Sequence, residues 1–182
     1  MSTSDNPNLA DLQPETLAVR GGRPDGQLSM APVLWASTTY EMGTLEEGRQ
    51  LAHSTQAKKF YSRHGNPTVN AFESAVAELE GAELCVATGS GMSAMFASVA
   101  CMVKAGDRVV ATAAMFSSCH VVLTEFLPAW GVEVELVKGT DEKVWAQALS
   151  KPTKVVFIES PSNPLMEIVD IRMISDLAHK VG

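Results

Sequence analysis

From Pro67 onward the apolar positions follow two rhythms. Val69, Phe72, Val76 and Leu79 recur at helical spacing, which predicts a helix over Val69 to Gly81 with one buried face. After it, short apolar runs alternate with longer mixed ones. Strands are predicted at Leu84–Ala87, Arg108–Thr112, Val132–Val137 and Lys154–Ile158. Each is followed by a predicted helix: Ser90–Val103, Ser117–Trp130, Asp141–Leu149 and Asp170–Val181. Strands alternating with helices of this length make β-α units and a mostly parallel sheet. Short strands with few polar positions are expected where both faces of the sheet are covered. Ligands of such sheets gather beyond the carboxyl ends of the strands.

The first 60 or so residues lack either rhythm. Pro7, Pro14, Pro24 and Pro32 interrupt them, as do glycines at 21, 22, 26, 43 and 48. The reading is an arm over 1–66, with at most a short helix near Leu45 to Ala52, leading into an α/β domain over 67–182. An arm without its own core must lie on something, and a second subunit is a natural support.

Composition narrows the classes. The 182 residues are 46% hydrophobic with a formal charge of −7, so no basic stripe is available for nucleic acid. Lys58-Lys59 with Arg63 and His64 forms the only basic cluster. Cys85, Cys101 and Cys119 show no C-x-x-C spacing, which argues against a zinc framework or a disulfide scaffold. Cys85 and Cys101 read as core packing, and the compartment as reducing and cytoplasmic. No secretory leader opens the chain and no apolar run reaches membrane-spanning length. The four histidines lack metal-ligand spacing.

The candidate chemistry begins where the first strand meets a glycine turn, Thr88-Gly89-Ser90-Gly91-Met92-Ser93-Ala94. A turn that opens a helix aims free N–H groups and the positive helix end at an anion. The stretch fits G-x-G-x-x-A but lacks the Lys-Ser/Thr of a nucleoside-triphosphate loop. A dinucleotide would also need an acid at the end of the next strand, whereas Asp107 precedes it. A turn serving only helix–strand packing is the plainer alternative. The second candidate is Glu159-Ser160-Pro161-Ser162-Asn163-Pro164. Its prolines restrict the backbone and hold Asn163 extended, as a ligand site or as a simple strand-ending turn.

Taken in order, Tyr61-Ser62-Arg63-His64-Gly65-Asn66-Pro67-Thr68, then Gly89 to Ala94, then Glu159 to Pro164 resemble the pyridoxal-phosphate-dependent cystathionine gamma-synthase family of cysteine and methionine metabolism. The likeness covers about residues 15 to 182. It implies the fold-type I (aspartate aminotransferase-like) large domain. Phe116, where the family usually carries Tyr, points to the branch that sulfhydrylates O-succinylhomoserine, while Ser117 and Cys119 depart from the usual Gly and Thr. The resemblance implies pyridoxal 5'-phosphate as cofactor. Gly91 and Met92 would give backbone N–H groups to its phosphate. Tyr61 and Arg63 would reach that phosphate from a neighbouring subunit. Phe116 would stack on the ring, and Asn163 would bond the ring's phenolic oxygen. Implied partners are an O-acylhomoserine, sulfide or cysteine, and further copies of the chain as a dimer of dimers, with neither nucleic acid nor membrane.

The same resemblance places the lysine that bonds the cofactor, and the acid beside the pyridine nitrogen, beyond the Asn163-Pro164 motif. None of the eight lysines lies in a matching Ser/Thr-rich loop. The expectation is therefore an amino-terminal portion, without a catalytic residue of its own and inactive alone. Other readings stay open here: a synthase or gamma-lyase of the same family, a nicotinamide oxidoreductase, or a non-catalytic self-associating fragment.

Overall fold

The computed structural model describes residues 12–23, 29, 31–53 and 61–181. Pro7, Pro24, Gly26 and the pair Lys58-Lys59 lie outside the described residues. The chain divides into two compact units, Met1–Ala87 and Thr88–Gly182.

The first unit holds helices α1 (Pro14–Arg20), α2 (Leu45–His53) and α3 (Pro67–Glu80). Helix α1 was not expected in an irregular arm. It forms because its end docks on α3: Gly22 N–H donates to the Glu78 carboxylate at 3.3 Å. Gly22 has φ +68°, and a Cβ there would lie 1.8 Å from the Ala71 carbonyl oxygen, so only glycine lets the two backbones meet. Helix α2 opens with a reciprocal cap in which Thr44 N–H donates to Glu47 and Glu47 N–H to Thr44 Oγ1. Helix α3 begins at Asn66, whose side chain accepts from Thr68 N–H, and ends at Gly81 in the left-handed conformation, φ 64°.

Two expectations fail in this unit. The stripe Val69, Phe72 and Leu79 is exposed rather than buried, Phe72 at 60%. No described element covers it. Leu84–Ala87 is not a strand; Leu84 and Val86 are 64% and 71% exposed. A strand exists through its ladder, and this segment has no ladder partner among the described residues. Ala87 N–H donates instead to the Glu73 carboxylate at 2.8 Å.

The second unit runs α4 (Gly91–Ala100), β1 (Arg108–Thr112), α5 (Ser117–Val121), a π-helical segment (Val122–Phe126), α6 (Leu127–Ala129), β2 (Glu133–Val137), α7 (Glu142–Ala148), β3 (Val155–Phe157) and α8 (Ile171–Lys180). These three strands form a parallel sheet in the order β2-β1-β3. Arg108 is level with Glu133, and Val109 with Val155. All five residues of β1 are buried. Alternation along β1 sends Val109 and Ala111 to a core with Val99, Leu123 and Leu127, and Val110 to another with Trp145, Leu149 and Ile174. The predicted helix Ser117–Trp130 is interrupted by the π turn because Pro128 has no N–H for the Thr124 carbonyl. Leu127 N–H reaches back to Val122 O, and Thr124 Oγ1 donates to His120 O at 2.8 Å.

Arg108 closes the amino end of the sheet. Its guanidinium, 6% exposed, donates to Glu133 (3.2 Å), Thr153 Oγ1 (2.7 Å), the Ala148 carbonyl (2.9 Å) and Glu135. Cys101 is exposed, correcting its reading as core: it caps the end of α4, and its thiol turns back to Ser98 O. Cys85 is half-buried. No helix among the described residues is long and apolar enough to cross a membrane.

Candidate functional site

The first turn of α4 lies just past the glycine turn. Ser90 is extended (φ −161°, ψ 157°), and its hydroxyl accepts from Ser93 N–H at 3.1 Å. Ala94 N–H goes to Ser90 O. The N–H groups of Gly91 and Met92 have no acceptor among the described residues. A Cβ on Gly89 or Gly91 would meet nothing within 4 Å. Tight packing is therefore not what these glycines serve. They leave open space in front of two unclaimed donors at the positive end of a ten-residue helix, a fit for a phosphate.

Past β1 the chain runs through Ala113 and Ala114 to Phe116, which caps α5 and is 41% exposed. Phe116 N–H donates to Glu159 Oε2 at 3.0 Å. Cys119, buried in the first turn of α5, lies 3.9 Å from the Met92 sulfur. That contact joins the beginnings of α4 and α5. Burial, and then the nearby Glu159 carboxylate, push the Cys119 thiol above its ordinary range, which suits a packing thiol rather than a nucleophile. The hydroxyl of Thr112, at the last position of β1, is buried without a hydrogen-bond partner among the described residues.

Past β3, Asn163 N–H donates to Glu159 Oε1 at 2.6 Å. The Ser160–Pro161 and Asn163–Pro164 peptides are cis. Buried Ser162 exchanges hydrogen bonds with Glu167: its N–H donates to Glu167 O, and its hydroxyl accepts from Glu167 N–H, both at 3.0 Å. Met166 N–H closes the turn onto Ser162 O at 2.8 Å. Asn163 is thus exposed on a braced turn, and its side-chain amide has no hydrogen bond among the described residues. The sequence reading assigned Asn163 in this motif and missed Glu159. Its signal was an acid two residues past a strand end, where ligand loops start.

In the first unit, Tyr61 and Arg63 come together, the guanidinium lying 5.1 Å from the ring centroid. Arg63 is exposed and has no carboxylate partner among the described residues. The segment is stitched to the preceding arm. Tyr61 bridges Thr39, Ser62 N–H donates to Thr38 O, and Asn66 Nδ2 donates to Trp35 O at 2.9 Å.

A dinucleotide does not fit this rim. The carboxyl end of β1 carries no acid, while Asp107 sits at the opposite end and accepts from Lys104 N–H at 2.9 Å. An open glycine turn at a helix start on a parallel α/β sheet, with an aromatic ring and an amide on the neighbouring loops, is a better fit to the pyridoxal-phosphate class of protein. The chain belongs to the family of Cys/Met metabolism PLP-dependent enzymes, whose sequence model matches residues 15–182. It is 42% identical over 168 residues to an O-succinylhomoserine sulfhydrylase of Mycobacterium tuberculosis, covering 92% of this chain and 41% of that protein. An O-succinylhomoserine sulfhydrylase of Pseudomonas aeruginosa is 37% identical over 171 residues, covering 92% and 42%. Among solved structures, metB from Corynebacterium glutamicum superposes with a TM-score of 0.82 at 27% identity, over 95% of this chain and 44% of that one. A putative O-acetylhomoserine (thiol)-lyase, metY, from Campylobacter jejuni superposes at 0.84 and 27%, over 94% and 42%. That crystal structure contains a pyridoxyl-lysine monophosphate. The chain thus spans about two-fifths of the length of the curated relatives it matches.

Proposed function

We propose that the chain contributes the phosphate cradle and ring contacts of an enzyme that replaces the gamma-acyloxy group of an O-acylhomoserine by sulfide, giving homocysteine. The observation that carries this reading is the start of α4, where two N–H groups lack acceptors and two glycines face open space. In this reading Gly91 and Met92 donate to the cofactor phosphate. Arg63 adds a planar, permanently charged fork, and Tyr61 a hydroxyl, both from a neighbouring copy in a homo-oligomer. Phe116 covers one face of the cofactor ring and Asn163 donates to its phenolic oxygen. Bound pyridoxal phosphate supplies the electron sink for chemistry at the substrate's Cα and Cβ. The residues described here hold and orient it and keep its phosphate charge compensated.

The names of the relatives support O-succinylhomoserine as the substrate and sulfide as the sulfur donor. The test is product analysis on the protein made from its complete reading frame. With O-succinylhomoserine, sulfide should give homocysteine with a specificity constant about tenfold or more above that for cysteine. A preference for cysteine would make it a synthase. Keto-acid release from methionine without an acceptor would make it a lyase. Hydride transfer to a nicotinamide cofactor would remove it from this chemistry altogether.

A further inference from the structure

We propose that Glu159 is a positioning residue whose carboxylate ties the Phe116 loop to the Asn163 loop, fixing the spacing between the group that covers the cofactor ring and the group that meets its edge. This rests on the reading of Phe116 and Asn163 given above. The geometry behind it is independent of that reading. One oxygen of Glu159 accepts from Phe116 N–H at 3.0 Å and the other from Asn163 N–H at 2.6 Å. These amides belong to loops 43 and 4 residues away along the chain, one past β1 and one past β3. A carboxylate suits the task because it presents two acceptor oxygens and no competing donor. A glutamine at this place offers one acceptor oxygen, so one of the two amides would face an NH2 group. The side chains of Phe116 and Asn163 are exposed, so packing does little to hold them. Holding them by their backbones leaves the ring and the amide free to touch a ligand. Glu159 itself touches neither ring nor phosphate in this scheme. It acts through the two residues it holds.

The test uses the protein from its complete reading frame, with Glu159→Gln and Glu159→Ala, and has two independent arms. In the first, hydrogen–deuterium exchange is followed in peptides covering 113–121 and 160–168 of the cofactor-free protein. Glu159→Ala should speed exchange in both by about tenfold, and Glu159→Gln in at least one. In the second, pyridoxal phosphate is titrated into the cofactor-free protein and its circular dichroism is recorded. Affinity should fall about tenfold in the alanine variant and less in the glutamine variant, with an altered cofactor band in both. Unchanged exchange in the alanine variant overturns the clamp, whatever the cofactor does. Faster exchange with unaltered affinity and dichroism overturns its role in positioning. Failure of the unsubstituted protein to bind pyridoxal phosphate overturns the site reading itself. If the alanine variant does not fold, the near-isosteric glutamine variant carries the same comparisons.

Discussion

At the amino end of β1, the Arg108 guanidinium reaches four acceptors on Glu133, Glu135, Ala148 and Thr153. At the carboxyl end, four residues away on a single strand, Thr112 Oγ1 is buried without a partner among the described residues. The loops beyond leave the Gly91 and Met92 amides unclaimed, Phe116 exposed and the Asn163 amide free among the described residues. Both ends belong to one buried strand, so the difference lies in what surrounds each end. At the first end the Arg108 guanidinium is met by four acceptors. At the second, donors stand without acceptors among the described residues. Unmet hydrogen-bonding capacity concentrated on one rim of a sheet is what the proposed function would use.

The largest expected effect tests the closed end. Arg108→Met should lower unfolding free energy by about 2–3 kcal/mol. The figure stays below that of a fully buried ion pair because Glu133 and Glu135 are 63% and 40% exposed and can turn to water. Urea titration measures it, and a loss below about 0.5 kcal/mol would show that this end is not held as described. The open end should answer in the opposite way. Gly91→Ala puts a Cβ into empty space, so stability should hold. Affinity for pyridoxal phosphate should fall about tenfold, which corresponds to about 1.4 kcal/mol. A stability loss with unchanged affinity would assign the glycine to packing. Ser90→Ala removes the cap of α4 and should cost about 1 kcal/mol by thermal or urea denaturation, weakening cofactor affinity only modestly. The smallest effect is a difference in thiol reactivity. Exposed Cys101 should react with iodoacetamide readily at neutral pH. Cys119, whose thiol is held above its ordinary range by burial and by Glu159, should lag and gain on it only as pH rises past that range. Equal rates near neutrality would contradict the buried, Glu159-facing placement.

Much of the second unit was legible beforehand. The strands at Arg108–Thr112, Val132–Val137 and Lys154–Ile158 and the helices capped by Asp141 and Asp170 fell within a few residues of their observed bounds, because each is encoded by local periodicity and nearby polar residues. The glycine turn was legible as a turn that opens a helix for the same reason. The misreadings were non-local. Leu84–Ala87 has strand composition but no ladder partner among the described residues. Helix α1 owes its place to the fit of Gly22 against α3. Cys101 sits in an apolar stretch, yet its side chain ends on the surface.

What the sequence determined by itself was most elements of the second unit, their parallel arrangement and the residue types offered at the carboxyl ends, since these follow from spacing, turn chemistry and the absence or presence of a Cβ. Tertiary structure alone decided which of those residues meet. It laid the starts of α4 and α5 together through Met92 and Cys119, and it brought one carboxylate between amides from two separate loops. Hydrogen bonds reach about 3 Å, and nothing in the order of residues along a chain specifies which distant groups come within that reach until the sheet has been assembled.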